Sequence, residues 1–113
     1  MNEEKGMVYL YGFSLRQQNK SESLLKIFNE QIRKNINIIL VLLHDGVIGV
    51  TQKSKIPPTL EELLQMPISI HALTPDILAR GMDIKSLRNN IKKIDYEDLV
   101  DLLVNNQQVV SWL

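Results

Sequence analysis

A histidine and an aspartate stand side by side, His44-Asp45, at the close of one apolar run, and Ser14 follows the close of another. Imidazole, carboxylate and hydroxyl are the groups of acyl-transfer catalysis, with serine as nucleophile and histidine as its base. Adjacency works against a triad here, because neighbouring side chains leaving a strand point to opposite sides and Asp45 then fails to orient His44. Metal chemistry has little to draw on: the chain carries two histidines and no cysteine, and no His-x-x-x-His spacing. His71 lies within an alternating stretch and reads as a half-buried strand residue rather than a ligand. No phosphate-cradling loop is present, since Gly12-Phe13-Ser14-Leu15-Arg16 lacks the Gly-x-Gly-x-x-Gly pattern. With no cysteine there is no disulfide, no thiolate nucleophile, no Cys-ligated zinc or iron-sulfur cluster, and no persulfide held by this chain. No catalytic residue, metal ligand or cofactor is assigned.

Thirteen basic residues balance thirteen acidic ones, so no net field draws the chain toward phosphate backbones, and direct nucleic-acid binding is not expected. The local cluster Lys85, Arg88, Lys92 and Lys93 has no interleaved aromatic and reads as a solvated face. The longest apolar run, 38–43, is far short of the roughly 20 residues that span a bilayer, and residues 1–5 do not resemble a secretion signal. No membrane association and a cytoplasmic location are expected. At 113 residues, with 44% apolar and 23% charged residues, the chain has the makings of one core. A single α/β domain over 7–113 is expected, after a disordered extension over 1–6.

Periodicity then gives the elements that must position these groups. A β-branched and aromatic run over 7–13 predicts a first strand, and Leu24, Leu25, Phe28 and Ile32 mark one face of a helix that Ser21 can cap. Residues 38–43 show no polar alternation, which suits a central parallel strand buried on both faces. A short helix over 47–51 and a second, capped by Thr59, precede a third strand over 67–73. Thr74-Pro75-Asp76 opens another helix with Thr74 as cap, and Gly81 ends it. A fourth strand over 91–94, a last helix capped by Asp95 with Asp98, and a fifth strand over 107–113 complete the chain. Strands alternating with crossover helices make a three-layer, doubly wound α/β sandwich with a mostly parallel five-stranded sheet, for which the order 2-1-3-4-5 is expected.

Ligands of such sheets bind beyond the carboxyl ends of the strands. That rim gathers Gly12, Ser14, His44, Asp45, Thr74 and Asp95, each of which also has a local duty as a turn or cap residue. Trp112 and the apolar last helix offer either core closure or an interface.

The segments Leu42-Leu43-His44-Asp45-Gly46-Val47, Ile70-His71-Ala72-Leu73-Thr74-Pro75-Asp76-Ile77-Leu78-Ala79-Arg80-Gly81-Met82, Ile94-Asp95-Tyr96-Glu97-Asp98-Leu99-Val100 and Ser111-Trp112 fall in an order and spacing that resembles the DsrH/TusB family. Tyr9-Leu10-Tyr11-Gly12-Phe13-Ser14 is similar to that family's first strand. The resemblance implies a DsrE-like fold and membership of a sulfur-relay complex that serves tRNA 2-thiouridine synthesis or sulfur oxidation. It implies homologous DsrE/DsrF-like or TusC/TusD-like subunits as partners, with a TusA-like sulfur carrier as a further one, in a hetero- or homo-oligomer. In the sulfur-carrying relatives a persulfide cysteine ends the third strand, at the place of Leu73 here, so the resemblance makes this chain a noncatalytic partner. The second cysteine of some relatives, within Glu22-Ser23-Leu24-Leu25, is also missing. The segment 44–53, longer and more basic than the family pattern, and the insertion-like Pro57-Pro58 depart from that pattern. Candidate rim or interface residues are Ser14, His44, Asp45, Arg80 and Trp112. The alternative is a self-associating domain that binds a small ligand at the rim without transferring sulfur.

Overall fold

The computed structural model describes residues 6–106 and 108–113. Five strands, β1 (Met7–Tyr11), β2 (Ile38–Leu42), β3 (Ser69–Leu73), β4 (Ile91–Ile94) and β5 (Gln108–Trp112), form one sheet in the order β4-β3-β2-β1-β5. All four pairings are parallel. The helices are α1 (Gln18–Arg33), α2 (Pro58–Leu64), α3 (Thr74–Ala79) and α4 (Tyr96–Asn105).

This order corrects the expected 2-1-3-4-5. The strand with the unbroken apolar run, β2, is the middle one, as burial on both faces requires. From β1 to β4 the chain steps one strand at a time in one direction, so right-handed crossovers put α1, α2 and α3 on one face. Leu24, Phe28, Leu60, Leu63 and Ile77 accordingly pack with Tyr9, Tyr11, Leu40, Leu42 and Ile70 in the larger core. The step from β4 to β5 runs the other way across the whole sheet, which among the described residues places α4 alone on the opposite face. There Leu99, Leu102 and Leu103 pack on the smaller core of Val8, Val41, Leu43, Leu73 and Ile94.

The helix ends differ from expectation at three hydroxyls. Ser21 lies inside α1, which begins at Gln18, and its buried hydroxyl meets that of Thr59 at 2.8 Å. Thr59 is therefore no cap either: α2 starts at Pro58, and the two hydroxyls satisfy one another where α1 packs on α2. Thr74 is the first residue of α3, with Leu73 ahead of it and no side-chain cap. The short helix expected over 47–51 is a 3-10 turn that begins earlier, at His44–Val47. Asp95 does cap α4: its side chain accepts from the Asp98 amide at 2.9 Å, while the Asp98 side chain accepts from the Asp95 amide at 3.1 Å. Gly81 ends the α3 segment at φ +71°, where a β-carbon is disfavoured. The expected disorder over 1–6 concerns residues 1–5, which lie outside the described residues, and Gly6, which is buried and donates to Asn106 Oδ1 at 3.0 Å. Gln107, the expected first residue of the last strand, also lies outside them.

Candidate functional site

The parallel register aligns Tyr11 with Leu42 on one side and with Trp112 on the other, so the carboxyl ends of β1, β2 and β5 are level. The Gly12 amide donates to the Trp112 carbonyl at 2.8 Å, and the Leu43 amide to the Tyr11 carbonyl at 3.1 Å. Crossover direction reverses between β1 and β5, the usual crevice for ligands. Here His44 and Leu113 close over it. A β-carbon on Gly12 would stand 3.1 Å from the His44 ring and 3.0 Å from the Leu113 side chain, so glycine is what lets both approach. Gly46 is held as tightly, since a methyl there would run into the Tyr11 carbonyl.

His44 has φ +51°, a left-handed backbone that few non-glycine residues adopt. Its amide, first in the 3-10 turn, donates to Asp76 Oδ2 at 2.6 Å. Asp76 thus caps the turn from α3, and that bond fixes the strand exit from which the imidazole projects. Arg80, one turn further along, donates to Asp45 Oδ1 through Nη2 at 3.0 Å and Nε at 3.3 Å, and through Nη1 to the Asp76 carbonyl at 3.2 Å. His44, Asp45 and Arg80, candidates from the sequence, lie together in the structure. Asp76 reads in the sequence only as part of the Thr74-Pro75-Asp76 helix start, and no local pattern signals a partner 32 residues away.

The remaining candidates divide. Ser14 Oγ accepts from the Arg16 amide at 3.2 Å, a turn contact, and among the described residues no hydrogen bond joins the His44 ring to Ser14 or Asp45. Leu73 is 3% exposed and belongs to the smaller core. Trp112 is half-buried, its ring tilted against Tyr11 with centroids 5.8 Å apart. Tyr11 itself is fully buried with an unpartnered hydroxyl, and burial pushes its pKa up. Asp95 sits at its cap, where the Asp98 amide lowers its pKa. His71 lies on the α4 face with Nδ1 buried and unpartnered; burial and then Lys92 lower its pKa, with Asp98 opposing. Of the basic cluster, Arg88 is structural: it donates to the carbonyls of Gly49 at 2.8 Å and Ser54 at 2.6 Å, pinning the long loop after β2. Among the described residues no cluster of metal-ligating side chains occurs, and no helix is long and apolar enough to cross a membrane.

A family model described as DsrH like protein matches residues 14–109. Curated relatives called Protein TusB, from Yersinia pestis strain Pestoides F and from Yersinia pseudotuberculosis serotype O:1b, are 37% identical over 73 residues, 65% of this chain and 73% of theirs. Among solved structures, the ychN protein from E. coli superposes with a TM-score of 0.73 at 15% identity, covering 96% of this chain and all of that one. MTH1491 from Methanobacterium thermoautotrophicum, titled a protein of unknown function, gives 0.70 at 15% identity over the same shares. These two share the fold.

Proposed function

The chain belongs to the DsrH/TusB family, and from that premise we propose that it is a noncatalytic subunit of a sulfur-relay complex. Sulfur relay between proteins is an exchange: an acceptor thiolate attacks the outer sulfur of a donor persulfide, the sulfur-sulfur bond breaks, and the donor leaves as thiolate. No oxidant or reductant is consumed, but both participants need a thiol. This chain has none. The observation that carries the reading is Leu73, an apolar residue packed into the core, at the place that the family resemblance gives to the sulfur-carrying relatives' cysteine.

In this reading the cysteines belong to homologous DsrE/DsrF-like or TusC/TusD-like subunits, with a TusA-like carrier delivering sulfur in the cytoplasm. The rim braced by Asp76 and Arg80 supplies a fixed wall beside the partner's reacting sulfur. Synthesis of 2-thiouridine in tRNA is the favoured destination, because the curated relatives bear the TusB name. Affinity purification of the tagged chain from its native cell tests this. The expected result is co-recovery of a cysteine-bearing homologue; recovery without any DsrE-type or TusA-like protein counts against it. A ligand-binding rim without sulfur transfer fits less well, since the Ser14 hydroxyl is engaged in its own turn and Asp45 is paired with Arg80. A thermal-shift screen repeated with His44→Ala would expose such a ligand.

A further inference from the structure

The backbone at His44 sits at φ +51°, a region sparsely used by non-glycine residues, and such outliers persist only where the surrounding structure over-determines them. Three other elements do so here. Asp76 of α3 accepts from the His44 amide at 2.6 Å, Gly12 after β1 leaves room for the ring, and Leu113 after β5 lies against the same glycine. The residue they hold is nevertheless exposed.

Among the described residues the His44 ring makes no hydrogen bond, whereas the other polar candidates of the rim are all engaged. Asp45 is paired with Arg80 at 3.0 Å, Arg80 also donates to the Asp76 carbonyl at 3.2 Å, and Ser14 serves its own turn. Asp45 in the same turn, with Asp76 and Arg80 from α3, are the charged groups facing this turn; from β1 and β5 come Gly12 and Leu113, without side-chain charge. The fold thus fixes one imidazole at the crevice and gives it no partner within the described chain. Persulfide exchange has a use for such a group, because the attacking sulfur must be a thiolate and an ordinary thiol near pH 7 is mostly protonated. Imidazole is the side chain suited to take and return a proton there.

We infer that His44 is the general base for a partner subunit's thiol, an inference that rests on the sulfur-relay reading. The His44 ring takes the thiol proton, and the resulting thiolate attacks the outer sulfur of the donor persulfide. The sulfur-sulfur bond breaks with its electron pair on the donor sulfur, which leaves as thiolate and receives the proton back from the imidazolium. No oxidant or reductant is used.

Loading of the complex recovered from the native cell with isotopically labelled glutathione persulfide tests this, the label on the partner's cysteine being followed against pH. His44→Asn keeps a residue type that tolerates the left-handed backbone but is no base. It should assemble normally, load roughly tenfold more slowly near pH 7, and approach the wild-type rate as pH rises through the range where thiols ionise unaided, about 8.5. His44→Gly suits the same backbone and removes the ring, and its loading should recover when imidazole is added to the buffer. Loading by both variants at the wild-type rate at every pH, or no recovery of His44→Gly with imidazole, overturns the inference; the relay reading then stands if withholding the chain slows loading. A variant lost from the complex marks the ring as a packing contact, which also overturns it. If the wild-type chain makes no difference to loading, the relay reading falls and this inference with it.

Discussion

Leu73 ends β3 with 3% of its surface exposed, among Val8, Val41, Leu43 and Ile94. Truncation to alanine there should cost about 2–5 kcal/mol, measured by urea unfolding. Leu73→Cys is more informative. The new thiol should react slowly with Ellman's reagent in the native protein and rapidly once unfolded, because a thiol packed in apolar surroundings is inert. Fast native labelling would mean that the position is open and that only the residue type withholds sulfur chemistry. Ser21 and Thr59 share one buried hydroxyl contact at 2.8 Å. Ser21→Ala leaves Thr59 without its partner and should destabilise by about 1–3 kcal/mol, with Thr59→Val added in the double variant recovering part of the loss. His71 titrates in the folded chain below its unfolded value of about 6.5. The unfolded state then binds more protons as pH falls below that value, so stability is full above it and declines toward the lower folded pKa. His71→Leu should flatten that acid-side decline in a series of pH-dependent melts. At this scale the sequence was legible where a residue acts locally: Asp95 with Asp98 reads as a capping box and is one. Asp45 with Arg80 was not, because the two lie 35 residues apart and only the fold joins them.

Elements were more legible than their ends. All five strands lie within the ranges expected from the sequence, and β4, although Ile91-Lys92-Lys93-Ile94 is neither alternating nor unbroken, matches residue for residue. Helix starts at Ser21, Thr59 and Thr74 misled because a hydroxyl before an apolar run caps a helix or packs against a neighbour with equal ease. The expected order failed for a different reason: periodicity reports which residues are buried, not beside what. The absence of any polar residue in β2 did carry the answer, for a strand apolar on both sides belongs in the middle. The element most open to test is α4, whose first turn depends on Asp95. Asp95→Ala should raise amide exchange over the first turn of α4. The wild-type contribution is present above the ordinary aspartate pKa and is lost as pH falls through the lowered folded value, so the variant and the wild type should converge in strong acid.

At the scale of the molecule, among the described residues three helices shelter one face of the sheet and one helix the other, and the carboxyl rim is braced by Asp76 and Arg80 across α3. On the proposed reading, a chain without a thiol holds other subunits in register while sulfur passes between them. The candidate site was readable as a list of rim residues; its closure by His44 and Leu113 over Gly12 was not, since it depends on the level ends of β1, β2 and β5. Reconstituted relay with isotopically labelled sulfur measures the central claim directly: cysteine-bearing homologues, a persulfide donor and an acceptor, with this chain added or withheld. Transfer should be fast only when the chain is present, with label on the partners' cysteines and none on this polypeptide. Transfer at the same rate in its absence would contradict the account.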